Sequence, residues 1–286
     1  MSYDLNIPWS PAISPLSLER MIIFLSDLGY QTLALTYTQS DHNLTSKHSN
    51  PIPTKFTFDI PSKVTILRRC TIVYSDPAQN HRLPSISPLF DILAIRPTNE
   101  KAFLASCTTV TEHSIISLDL TIRYPFHFKP KPLMTAIKRG TKIEISYGQC
   151  INADAVGRKN FISNTMSIVR CTRGRGLIVS SEAGNVVACR GIQDLVNLLG
   201  VWGLSKEKAF DGLQKNPREV VVNEGIKRTG FRGVIDVIDG GLEFISAQDE
   251  RDMKSKGKRP IDKTNPEGAP STNFNLNKKC KVNQTQ

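Results

Sequence analysis

Asp91-Ile-Leu-Ala-Ile95, Ser114-Ile-Ile-Ser-Leu-Asp-Leu120 and Lys142-Ile-Glu-Ile-Ser-Tyr147 are three short apolar runs, and what separates them decides the fold. Between the first two, Pro97-Thr98-Asn99-Glu100 offers a capping side chain and an acid for a first helical turn. Phe103, Cys107 and Val110 then recur at helical spacing. Between the second and third, a helix beginning at Pro132 turns Leu133, Met134 and Ile137 inward. It stops at Lys138-Arg139-Gly140, where basic residues and a glycine suit a helix exit. Strands joined by helices of this length run parallel, because the crossover returns the chain beside the previous strand in the same direction. The block predicts strand, helix, strand, helix, strand.

The same alternation extends both ways. Tyr3 to Ile7 reads as a first strand carrying Asp4. A helix from Ser14-Pro15 follows, with Leu18, Ile22, Leu25 and Leu28 on one face and Gly29 closing it. Thr32 to Tyr37 is a second strand. Gln39 to Pro61 is polar and Pro-rich without a clear apolar period, which predicts a long, mobile connection. Val64 to Tyr74 is a strand interrupted by Arg68-Arg69, expected near a rim or a partner surface, and Ser75 to Pro88 is turn-rich. Downstream, Arg158 to Arg173 reads as a helix with Ile162, Met166 and Val169 inward, ended by Gly174. Leu177 to Ser181 is a buried strand and Gly191 to Trp202 an apolar helix. Ser205 can cap another helix to about Leu213. Asn216-Pro217-Arg218-Glu219 has capping-box spacing, although Val220-Val221-Val222 favours a strand; the reading is helix. Seven or eight parallel strands alternating with helices predict a TIM-like (β/α) barrel over residues 1–247.

Residues 248–286 hold few large apolar side chains and predict a disordered basic tail. Within it Lys254, Lys256, Lys258 and Arg259 form a nuclear-import candidate or a nonspecific RNA contact. The whole chain of 286 residues carries a formal charge of +11, which favours an anionic partner, with RNA the first candidate. No window resembles a membrane span or a secretion signal, so an intracellular location is expected. Six cysteines lie far apart with no Cys-x-x-Cys pair, and read as small buried hydrophobes in a reducing compartment.

Several phrases carry a family resemblance. Ala94-Ile95-Arg96-Pro97-Thr98-Asn99-Glu100-Lys101, Ile116 to Thr121, Tyr124-Pro125-Phe126-His127-Phe128-Lys129 and Ala136-Ile137-Lys138-Arg139-Gly140 resemble the barrel-fold protein subunit of eukaryotic and archaeal ribonuclease P, shared with ribonuclease MRP. Ile178 to Ala183, and Arg190-Gly191 leading into Asp194 to Leu198, continue the likeness in order, from about Asp4 to about Val222. The resemblance implies a non-catalytic subunit that pairs with a smaller protein and supports an RNA core. In such a particle the RNA, with its own divalent metal, performs 5′ maturation of precursor tRNA, or in MRP serves rRNA processing. A nuclear, nucleolar location follows, with no cofactor bound by the protein itself.

The residues themselves leave an enzyme in play. Asp4, Asp119, Glu144 and Glu182 lie near strands, and carboxylates converging at a barrel mouth can hold a hard metal for phosphoester hydrolysis. The family's fold resembles the polymerase and histidinol phosphatase superfamily, whose first strand carries His-x-His. Here that position reads Asp4-Leu5-Asn6, and no two of the five histidines sit at ligand spacing. The expectation is therefore no catalytic residue and no protein-held metal, with a metal-dependent phosphoesterase and a pure protein adaptor as alternatives. Candidate RNA-backbone contacts are Arg96, Arg123, Lys129, Lys131, Arg139, Arg158, Lys159, Arg173, Arg175 and Arg190, placed in loops or at helix ends. Arg96 or Arg190 has a competing reading as an internal partner of Asp119 or Glu182. Thr172-Arg-Gly-Arg-Gly176 is either a phosphate cradle or a helix exit with solvated arginines. Phe126-His127-Phe128 reads either as a platform for an unpaired base or as core or protein interface.

Overall fold

The computed structural model describes residues 1–40 and 49–229. Seven strands run parallel in sequence order: β1 Tyr3–Pro8, β2 Thr32–Ser40, β3 Thr65–Tyr74, β4 Ile92–Pro97, β5 Ile115–Ser117, β6 Lys142–Ser146 and β7 Leu177–Ser180. Among the described residues nine α-helices accompany them: α1 Pro15–Asp27, α2 Leu83–Ile86, α3 Glu100–Thr108, α4 Pro130–Lys138, α5 Tyr147–Asn152, α6 Ala155–Thr172, α7 Ile192–Val201, α8 Lys206–Phe210 and α9 Asn216–Thr229, with a π-helical turn at Asp211–Lys215 between the last two. This is a TIM-like barrel with seven strands among the described residues. The predicted domain end at 247, the tail and its import candidate lie outside them.

Alternation along the strands builds the barrel. The outward set, including Leu33, Leu35, Cys70 and Ile72, packs on α1 and the 83–90 turn, whereas Ile143, Ile145, Leu177 and Val179 pack under the later helices. The inward apolar set is small: Tyr3, Leu5, Ala34, Ile92, Ala94, Ile115 and Ile178. β1 and β7 are not joined by a ladder. At the upper end of the seam the Glu182 amide donates to the Asn6 carbonyl at 2.8 Å and the Ser181 amide to Asp4 Oδ1 at 3.0 Å. At the lower end Asn216 Nδ2 donates to the Leu177 carbonyl at 2.7 Å. There α9 acts as a plug. Its Val220 enters the inward apolar cluster, Glu219 meets Lys142 Nζ at 2.6 Å, and Arg228 reaches Asp91 at the start of β4.

Most predicted elements recur, and the differences have physical reasons. Asn99 caps α3 by accepting from the Ala102 amide at 2.8 Å. The 100–108 helix buries Phe103 and Cys107 as expected. In α4, Leu133 and Ala136 are buried, while Met134 and Ile137 are half-buried. In α6 the expected inward face is rotated. Phe161, Thr165, Ile168 and Thr172 are buried beside Val169, Met166 is half-buried, and Ile162 points out. A long β-branched and polar stretch has two candidate stripes, and the aromatic at 161, which contacts Trp202 at 5.1 Å between ring centroids, selects the other. Asn216 is helical and spends its side chain on Leu177, and Glu219 pairs across to Lys142, so the capping box does not form. Ser205 precedes α8 without a side-chain cap bond. The described part of the connection after β2, residues 49–61, is also more tied down than its composition predicts. Ile52 is buried, Phe56, Phe58 and Ile60 pack on the core, and Asn50 Nδ2 donates to the Leu89 carbonyl at 2.9 Å.

Candidate functional site

The upper end of the barrel, where the strands finish, is the place such folds use for chemistry. Arg69, expected near a rim, is instead fully buried inside. Its position two residues after Leu67 and two before Thr71 puts it on the inward set. It meets Glu144, which is flanked by two outward isoleucines and therefore also points in. The contact is bidentate, 2.5 Å from Nη1 to Oε1 and 2.6 Å from Nη2 to Oε2. Nη1 also donates to the Leu5 carbonyl and Nε to Thr71 Oγ1. Ser180 Oγ and Asn6 Nδ2 complete the shell of the carboxylate. Burial alone would raise the Glu144 pKa; the charge and hydrogen bonds of Arg69 outweigh it and hold the carboxyl below its ordinary value. Asp4 has no such partner. Oδ1 accepts from the Asn6 and Ser181 amides but Oδ2 is buried without one, and burial pushes its pKa up to about 6.

One layer higher, Arg96 Nη2 donates to Glu182 Oε1 at 2.7 Å and to Ser117 Oγ at 3.1 Å. Gln149 Nε2 holds the other oxygen of Glu182 at 2.7 Å. Glu182 has φ +48°, a left-handed conformation costly for a side chain with a Cβ, fixed by its amide bond to Asn6. Gly148 permits the close approach of α5: its amide donates to the Ser181 carbonyl, and a Cβ there would lie 2.3 Å from that oxygen. Asp119 turns inward on its own loop, accepting from the Thr121 amide and hydroxyl. The four acids thus do not form one metal cage. Among the described residues no group of three or more His, Cys, Asp or Glu is placed to hold a metal ion. Arg69 and Arg96 each pair with one of the two glutamates.

Beside this mouth a groove of about 650 Å³ runs between the loop after β5 and α6. The loop contributes Arg123, Tyr124, Phe126, His127 and Phe128. The helix contributes Val156, Lys159, Asn160, Ser163, Asn164 and Ser167, a stripe at helical spacing. The aromatics support one another: Phe126 stacks on Phe103 at 5.5 Å, and Tyr124 lies 5.1 Å from Phe126 and 5.3 Å from Phe128. Phe128 is buried and Phe126 half-buried, so much of the predicted platform is core, with His127 exposed at its edge.

A family model described as RNase P subunit p30 matches residues 1–229. The chain belongs to the RNase P subunit p30 family. It is 34% identical over 237 residues to the probable ribonuclease P protein subunit 3 of Schizosaccharomyces pombe, covering 82% of this chain and 99% of that one. It is 29% identical to the ribonuclease P/MRP protein subunit RPP1 of Saccharomyces cerevisiae, covering 84% of this chain and 86% of the relative. The mouse ribonuclease P protein subunit p30 is 30% identical, with 78% and 85% covered. A chain in a cryo-EM structure of archaeal ribonuclease P with mature tRNA superposes with a TM-score of 0.60 at 13% identity, covering 85% of this chain and 98% of that one, which establishes the common fold.

Within this p30 barrel the candidate RNA contacts fall into two groups. Arg123, Lys129, Lys131, Arg158 and Lys159 are exposed around the groove and the upper loops. Arg139, Arg173 and Arg175 are exposed at the opposite end, beside the exits of α4 and α6. Arg173 and Gly174 both have positive φ, so Thr172 to Gly176 is a helix exit leading into β7. Arg96 is the internal partner of Glu182, its competing reading. Arg190 pairs with neither acid; its guanidinium donates to the carbonyls of Val187 and Cys189. Arg139 and Arg158 likewise brace carbonyls, of Ser106 and Thr108 and of Cys150 and Ala153. The inward Arg69 was the residue the sequence concealed; its available signal was an acid isolated between isoleucines on β6, which needs a buried base.

Proposed function

We propose that this chain is a non-catalytic protein subunit of a ribonuclease P and MRP ribonucleoprotein, supporting RNA-catalysed 5′ maturation of precursor tRNA and rRNA processing. The observation that carries the reading is that both glutamates of the barrel mouth are held by arginines. A hydrolytic metal site needs free carboxylates or imidazoles converging on one point, whereas Glu144 and Glu182 are bound by Arg69 and Arg96. The relatives, subunits of ribonuclease P and MRP, supply the particle, and the basic balance of +11 suits contact with RNA. Arg123, Lys129, Lys131, Arg158 and Lys159 are the backbone contacts favoured by their shared upper position, with Arg173 and Arg175 a second, separate patch. The partners are the RNA and other protein subunits, among them a smaller one seated directly on the barrel. A nuclear, in part nucleolar, location accompanies this role.

Affinity purification of the tagged full chain from cells, followed by sequencing of bound RNA, tests the reading. Recovery of one or two abundant structured RNAs is expected. Recovery of proteins without such an RNA would favour the adaptor alternative.

A further inference from the structure

We infer that the groove between the β5–α4 loop and α6 holds an unpaired nucleobase of the RNA, with its flanking phosphates on Arg123 and Lys159. This rests on the ribonucleoprotein reading and adds to it a defined subsite. Four observations converge. The groove's volume of about 650 Å³ lies within the usual range for small-molecule pockets, roughly 300 to 1,000 Å³. Its lining mixes the aromatic faces of Tyr124, Phe126 and His127 with two cations, and no described lining residue is acidic. The adjoining mouth, by contrast, carries Asp119 and Asp154 beside the Arg96–Glu182 pair, so its balance is negative where that of the groove is positive, and an anionic strand is favoured at the groove.

The fourth observation concerns Asn160 and Asn164. Their amide nitrogens are committed to the β5–α4 loop: Asn160 Nδ2 donates to the Thr121 carbonyl at 3.0 Å, and Asn164 Nδ2 to those of Leu120 and Ile122 at 2.9 Å each. That fixes the orientation of both amides and leaves their Oδ1 atoms as acceptors along the groove. Positioned acceptors beside aromatic faces suit the N–H donors of an unpaired base, an exocyclic amino group or a ring imide. Val156, 66% exposed at the junction of groove and mouth, adds an apolar wall against which a base edge is shielded from water.

The test is ultraviolet cross-linking of the affinity-purified assembly, with adducts mapped by mass spectrometry, together with binding of the retrieved RNA by the wild-type complex and two variants. Nucleotide adducts on Tyr124, Phe126 or His127 are expected. Ser163→Trp, a substitution at an exposed position that fills the groove, should weaken RNA binding about tenfold with an unchanged salt dependence. Arg123→Glu with Lys159→Glu should weaken it and flatten the salt dependence. Melting curves matching wild type confirm that both variants fold. RNA recovered with adducts elsewhere on this chain and none in the groove, or unimpaired binding by Ser163→Trp, would overturn the inference. Cross-linking of the groove to an acidic peptide would likewise overturn it in favour of a protein partner. Recovery of no RNA would instead remove the ribonucleoprotein reading on which it rests.

Discussion

Arg69 and Glu144 lie 75 residues apart in sequence and form a bidentate ion pair inside the barrel, both completely shielded from solvent. The pair spans from β3 to β6, so it fixes opposite walls of the barrel against each other. A buried pair of this kind gives little net stability over an apolar pair of the same volume, yet breaking it leaves a charge with no solvent. Arg69→Met or Glu144→Leu alone should cost about 3 to 5 kcal/mol. The double replacement Arg69→Met with Glu144→Leu should cost clearly less than the sum. Urea denaturation of the four proteins gives the coupling directly; additive losses would show that the two residues act independently.

Asp4 makes the opposite contribution to stability. Burial raises its native pKa to about 6, above the unfolded value near 3.8. Between those values the native state holds a proton that the unfolded state has released, so stability falls as pH rises from about 4 to 6 and the penalty is complete above it. Asn at this position can keep the Oδ1 acceptor for Ser181 and replaces an unpartnered Oδ2. Asp4→Asn should therefore raise the melting temperature at pH 7.5 by several degrees, with the gain disappearing near pH 4. Equal gains at both pH values would show that Asp4 is not held with a raised pKa.

How much of this was legible beforehand follows from the period of each element. The Asp91 to Gly148 block announced strands and crossover helices because its apolar runs are short, capped and separated by helical spacing. Arg69 was misplaced because two adjacent arginines look like a polar break. In a strand they face opposite ways, Arg68 out to Asp91 and Arg69 in to Glu144. The groove was half visible in Tyr124 to Lys129, but its other wall comes from α6, whose inward face was read one residue out of phase. With Ile162 and Met166 assigned to the core, the stripe of Asn160, Ser163, Asn164 and Ser167 had no reason to face a partner loop.

The α9 plug yields a third prediction. Val220 is buried among inward residues of the strands, and Lys142 meets Glu219 at 10% side-chain exposure. Val220→Asp places a charge in an apolar cluster and should lower stability by roughly 3 kcal/mol or more. Glu219→Gln, at a half-exposed partner, should cost no more than about 1 kcal/mol. Thermal melts of both variants check the contrast; similar losses would mean that the plug is held by charge rather than by packing.

Gly148 offers a purely steric test. A methyl group there would approach the Ser181 carbonyl oxygen at 2.3 Å, a backbone atom that cannot turn aside. Gly148→Ala should destabilise the mouth by about 2 kcal/mol or more and disturb the positive-φ turn at Glu182. Hydrogen exchange at residues 181–183 reports that disturbance; unchanged protection would show that α5 has room to shift.

If the chain serves an RNA-catalysed reaction without catalysing it, cleavage of precursor tRNA by the purified assembly depends on the RNA alone for chemistry. The assembly should remove the 5′ leader in the presence of magnesium, activity should vanish when the RNA component is destroyed by nuclease and the nuclease then inactivated, and the isolated chain should be inert. Leader removal by the isolated chain, or by the assembly after its RNA is destroyed, would contradict the account and make the carboxylates of the barrel mouth catalytic groups after all.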